Sequence, residues 1–197
     1  EEHIVCKLNA GQDMTPFEYD DRTRTLYAGT DSVKAGAFKF TFPVPLDINY
    51  SDLPGLINLY AINTQKDIEA NGTFTEFIVS GTSTEEQIDT IGPSIAAFSN
   101  GHNVSEISYT NETPTLRIEL SDESGINTTG NGLGHDIVAI IDNNEATTYT
   151  LNSYYTQSVG DYRSGTVTYT LPALSAGKHT LVIRAFDTHN NLSEQAY

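Results

Sequence analysis

Cysteine is nearly absent from this chain. Cys6 stands alone, so no disulfide can close within the chain, and the thiol count does not decide whether the protein is exported. Basic residues are scarce as well: ten Lys and Arg face 26 Asp and Glu, for a formal net charge of −16. Such a surface repels phosphate, which excludes a nucleic-acid partner; it solvates well and is compatible with divalent cations. No run of about 18 apolar residues occurs, so a membrane-spanning segment is not expected. Nor does a basic-then-apolar start resemble a signal peptide, and the chain reads as a mature fragment whose export signal was removed or lies upstream. A sustained 3.6-residue apolar period is also missing, so helices should be short or absent.

What is present is a succession of short apolar runs between turn formers. His3–Leu8 reads as a short strand, followed by a polar loop carrying Asp13, Asp20 and Asp21. Phe38, Phe40 and Phe42 alternate with Lys39 and Thr41, the period of a half-buried strand. Pro43 and Pro45 stop it, because proline cannot donate to a ladder. Leu56–Ile62 is a second strand, Asp67–Gly72 a polar link, and Thr73–Val79 alternates again. Ser80–Gly92 is polar and bounded by glycines, which places a linker at 83–91 between a domain at 1–82 and a domain at 92–197. The second half offers strands in Pro93–Phe98, Pro114–Leu120, Ile137–Ile141, Thr147–Leu151, Gly165–Leu171 and Lys178–Phe186. Six or seven strands over about 105 residues match an immunoglobulin-like sandwich. The expected fold is therefore all-β, with two β-sandwich domains, the second immunoglobulin-like and the first truncated at its start.

The richest stretch is Ser121–Asp142, an acidic opening, a Thr/Gly/Asn loop and an apolar run. Gly125, Gly130, Gly132 and Gly134 permit positive φ and close backbone approach. Ile137–Ile141, bounded by turn formers, reads as a strand buried on both faces. The glycine spacing is G-x-G-x-G and a strand follows where a helix N-terminus would be needed, so a dinucleotide site is excluded. Oxygen donors gather at strand ends: Asp122, Glu123 and Asn127 after one strand, Asp142 after the central one, and Asp187, Asn190 and Asn191 after the last. Loops at one end of a sandwich cluster, and calcium takes six to eight oxygens. Asp122 and Asp187 are thus the calcium candidates, against the alternative that these side chains cap tight turns. No other cofactor is called for.

The five histidines (His3, His102, His135, His179 and His189) have no zinc-ligand spacing, and His135 reads as a hydrogen-bonded loop residue. Cys6 follows Ile4 and Leu8 along a strand, with His3 on the opposite face, so it reads as a packed thiol. No nucleophile, base and oxyanion stabiliser can be assembled, and a hydrolase is the weakest reading. Eleven tyrosines include Tyr149, Tyr154, Tyr155, Tyr162 and Tyr169 in one region. They suit a glycan- or protein-binding face, as in a free-standing surface adhesin, and equally suit cross-strand packing.

Several runs resemble one family in order. They are Leu26–Val33 (LYAGTDSV), Phe40–Pro45 (FTFPVP) with Asp47–Tyr50 (DINY), Ala70–Gly72, and Asp122–Asn127 (DESGIN). Gly134–Ile137 (GHDI), Gly177–Leu181 (GKHTL) and Arg184–Asp187 (RAFD) with Asn190–Asn191 complete the set. The family is the PorU-type sortase of the type IX secretion system, a gingipain-like cysteine peptidase, and the part resembled lies C-terminal to its peptidase domain. A tryptophan is usual where Phe186 stands. The resemblance implies an outer-membrane, cell-surface setting in a Gram-negative bacterium. It implies a parent enzyme that removes a C-terminal signal from secreted cargo and couples cleavage to lipopolysaccharide anchoring. The family's catalytic Cys and His match nothing here. A non-catalytic accessory region follows, with the upstream peptidase domain of the same polypeptide and secreted cargo or secretion-system proteins as partners.

Overall fold

Short alternating runs give short antiparallel strands, and the computed structural model of the chain is all-β. It describes residues 2–7, 15–22, 25–48, 53–81, 88–104, 108–130 and 134–197. The strands are β1 (Glu2–Cys6), β2 (Phe17–Asp21), β3 (Ile57–Asn63), β4 (Ile68–Phe74), β5 (Ser94–Ser99), β6 (His102–Asn103) and β7 (Thr115–Ser121). They continue with β8 (Val138–Ile141), β9 (Thr148–Thr150), β10 (Tyr155–Ser158), β11 (Asp161–Thr170), β12 (Leu181–Phe186) and β13 (Leu192–Ala196). The helical content among the described residues is two single 3₁₀ turns, Glu145–Thr147 and Asn152–Tyr154.

Two sheets form the sandwich. One runs β10-β11-β7-β5-β6, the other β13-β12-β8-β9. Their inner faces supply a continuous core: Leu116, Ile118, Leu120, Ala97 and Val167 from the first, Ala139, Ile141, Ile183 and Ala185 from the second. Ile118, Val167 and Ile183 are wholly buried, each contributing roughly 1.5–3 kcal/mol by removal from water. β8 is buried on both faces, as its unbroken apolar run requires: Ile140 pairs with Val182 on the outer face, and the two keep 5% and 7% of their surface.

The first half is built differently. β1 pairs with β2 and β3 with β4, two separate hairpins. Two expectations are corrected here. Phe38–Phe42 joins no ladder among the described residues; Lys34 and Ala37 close a tight turn before it and the two prolines follow. The alternation survives as stacking, with Phe38–Phe40 and Phe40–Phe42 ring centroids 6.2 and 6.0 Å apart. Periodicity reports which face a side chain takes, not whether a neighbour strand exists. In the second correction, Ile68–Gly72 is ladder rather than link, and pairing stops at Phe74, short of Val79. β4 is exposed along its whole length, so it carries no apolar alternation to betray it. β2, β10 and β13 have polar sequences and are likewise invisible to a hydrophobic pattern. Residues 82–87, most of the expected linker, lie outside the described residues.

The segment from Thr25 to Asp47 runs against the sandwich. Gly160 N donates to Thr30 O at 2.9 Å and Leu46 N to Thr188 O at 2.9 Å. Tyr27 stacks on Phe42 at 4.7 Å.

Candidate functional site

The end of the sandwich where β7 and β12 finish gathers most of the oxygen donors. β7 hands over to the turn Asp122–Gly125, and β12 to the turn Asp187–Asn191. A bridge between Ile126 and Asp187 ties the two, with Asn127 N donating to Phe186 O at 2.9 Å. Gly125 adopts φ 93°, and a Cβ there would stand 2.9 Å from Pro43 Cγ and 3.0 Å from the Tyr162 ring. That position needs glycine for both reasons.

Asp187 is fully buried. Its Oδ1 accepts from the backbone N–H groups of His189 (2.9 Å) and Asn191 (2.7 Å), and its Oδ2 from Asn191 Nδ2 at 2.7 Å. Asn191 also donates to the carbonyl of Asp89 at 3.0 Å. Asp89 accepts from Ile91 N at 3.0 Å and from the Ser124 hydroxyl; the Ser124 bond, then the Ile91 amide, holds its carboxyl below the usual carboxylate range. Carboxylate oxygens of Asp89 and Asp187 and a ring nitrogen of His189 all lie within 4.8 Å of one another. Asp122 accepts from Ser124 N at 2.8 Å. Burial pushes its carboxyl up, and the negative charges of Asp187 and Asp89 push the same way.

The remaining candidates go elsewhere. Asp142 caps the opposite end of β12: its carboxylate accepts from Thr180 N at 3.0 Å and pairs with His179 Nδ1 at 2.8 Å. Glu123 is exposed and paired with Arg163 at 3.1 Å. Asn127 turns to Asp47, donating Nδ2 to both carboxylate oxygens at 3.1 and 3.2 Å, while His135 Nδ1 meets the same carboxylate at 2.9 Å. His135 also packs on Phe186, centroids 4.5 Å apart. Gly132 lies outside the described residues. Cys6 is half-buried opposite Phe17, and His3 pairs with Asp20 at 3.0 Å. The tyrosines largely pack on one another: Tyr149–Tyr169 at 5.8 Å and Tyr154–Tyr169 edge-on at 4.8 Å.

Sequence reasoning missed Asp89, hidden in a polar stretch read as linker, and His189, whose spacing to other ligands is uninformative. Asp-x-Ile at 89–91 is an Asx turn, a local signal that says nothing of a partner about 100 residues away.

Comparison with known proteins bears on the fold. No family model and no curated protein matches the sequence. A crystal structure of dimeric latent PorU from Porphyromonas gingivalis does, with 36% identity and a TM-score of 0.52 over 100% of this chain. The fold is PorU-like. The chain spans 18% of the length of that PorU chain.

Proposed function

We propose that this chain is a non-catalytic accessory β-sandwich region of a cell-surface type IX secretion sortase. In this reading it positions the peptidase domain of the same polypeptide, or engages secreted cargo or secretion partners, at the outer membrane of a Gram-negative bacterium. The observation that carries the reading is the 36% identity to PorU sustained over the whole chain. The runs LYAGTDSV, DESGIN and RAFD, which resemble that family in sequence, support it: they fall in the Thr25–Asp47 segment and at the sandwich end that segment docks against. A module built to hold neighbours also suits the β3–β4 hairpin, where Tyr60, Ile62, Ile68 and Phe74 stand exposed. The division into domains at 1–82 and 92–197 belongs to the same proposal.

The tyrosine region gives less to the adhesin alternative, because Tyr149, Tyr154 and Tyr169 pack on one another. Tyr154 alone of the group is exposed among large apolar residues.

The test is an incubation of the purified chain with a type IX cargo bearing its C-terminal signal, scored for cleavage and for binding. The proposal expects no cleavage, and capture of either the cargo or the separately expressed peptidase domain. Signal removal by the chain alone, or capture of neither protein together with retention on a glycan array, contradicts it.

A further inference from the structure

We propose that Asp89, Asp187 and His189 bind a divalent first-row transition cation, with zinc as the reference ion, clamping the strand-leading segment 88–92 to the Asp187–Asn191 turn. The ligand-type atoms already lie within 4.8 Å of one another. A tetrahedral zinc site with bonds near 2.0 Å spaces its donors by about 3.3 Å, so the donors close in by up to about 1.5 Å on binding.

Turn chemistry accounts for only part of this cluster. A carboxylate offers about four lone-pair sites. Asp187 uses two on Oδ1 and one on Oδ2 for its turn, and Asp89 uses one on each oxygen. Both keep acceptor capacity, and an oxygen of each lies within 4.8 Å of the other. Independent of the carboxylates, His189 Nδ1 and Asn190 Oδ1 are sealed from solvent and have no hydrogen-bond partner. Buried polar atoms are nearly always satisfied, and an unpartnered His189 nitrogen beside a wholly buried aspartate suits a group that takes its lone pair.

Donor chemistry chooses the ion. Calcium asks for six to eight oxygens at a flexible site, whereas imidazole with two carboxylates suits zinc and its first-row neighbours. Of the two calcium candidates in the sequence, Asp122 and Asp187, this site takes Asp187 alone and with a different cation. Asp122 adds charge from the side and makes no third carboxylate ligand here. The clamp is local to the sandwich and holds whatever larger protein carries it.

The experiment is thermal unfolding of the 197-residue chain after chelation, then with zinc, manganese or calcium chloride, alongside His189→Gln and Asp89→Asn. His189 is chosen because its ring nitrogen Nδ1 gives up no hydrogen bond and its backbone N–H is kept; Asp187 is left intact because its loss would open the turn. Zinc at a hundred times its Kd should raise the midpoint by about 5–10 °C in the parent chain. Neither variant should respond, while their metal-free midpoints stay within about 2 °C of the parent. Zinc retained after gel filtration should fall from about one ion per chain to none in either folded variant. No shift with zinc or manganese, a shift unchanged in both variants, or a shift with calcium alone would overturn the assignment.

Discussion

Asn127 and Asp47 lie eighty positions apart and share a bidentate hydrogen bond, Asn127 Nδ2 standing 3.1 and 3.2 Å from the two carboxylate oxygens. The asparagine is wholly buried, its Oδ1 in turn accepting from Thr129 N at 3.1 Å and Thr129 Oγ1 at 2.9 Å. With Leu46 N bonded to Thr188 O, this pair pins the proline-bounded segment onto the sandwich end.

Removing one partner leaves the other buried and unsatisfied, which costs more than the bond itself is worth. Asp47→Ala should therefore lower stability by about 1–3 kcal/mol in urea unfolding. It should also speed proteolysis between residues 25 and 48 in the native chain. An unchanged midpoint and cleavage rate would show that the segment is held by other contacts.

Gly125 separates backbone strain from steric contact. Gly134 shares its positive φ (83° against 93°) but faces open space, while a Cβ at Gly125 meets Pro43. Gly134→Ala should cost roughly 1 kcal/mol from φ alone, and Gly125→Ala measurably more. Equal costs would mean that Pro43 moves aside freely.

Core position should dominate over residue type. Ile183→Ala, at a fully buried site, is expected to lose about 2–5 kcal/mol. Ile62→Ala, on the exposed face of β3, should stay within about 0.5 kcal/mol. Denaturant midpoints with unchanged m-values would check both.

The sandwich strands were legible where burial is on one or both faces: Leu116-Ile118-Leu120 alternates, and Ile137–Ile141 is continuous. β4, β13 and the β10 edge were not, because a strand that buries little carries no hydrophobic period. The same physics hid Asp89. Asp187 could be marked as an oxygen donor, yet only the fold shows that Asp142, at the other end of β12, belongs to a different turn. Asn127 is legible as an oxygen donor at a strand end, but nothing local to Asp47 points to a partner eighty positions away.

The Asp142–His179 pair supplies a pH signature. The hydrogen bond to Asp142 raises the His179 pKa, and the bond from His179, then the Thr180 amide, lowers that of Asp142. The His179 contribution is fully present below the unfolded histidine pKa, near 6.5, and fades as pH rises through its raised folded value. The Asp142 contribution is present above about 4 and fades as pH falls through its lowered folded value. The unfolding midpoint of the parent chain should exceed that of His179→Gln most between about pH 4 and 6.5, the gap narrowing on either side. A gap that is flat across pH would remove the ion pair from the account.

The central claim is that this region serves a type IX sortase without performing its chemistry. It is tested most directly by replacing the region with a flexible linker in the source bacterium, with sortase abundance held equal by immunoblot. Following cargo then decides the matter. The account predicts that cargo keeps its C-terminal signal and fails to appear anchored at the cell surface. Normal signal removal and anchoring in the replaced strain would contradict it.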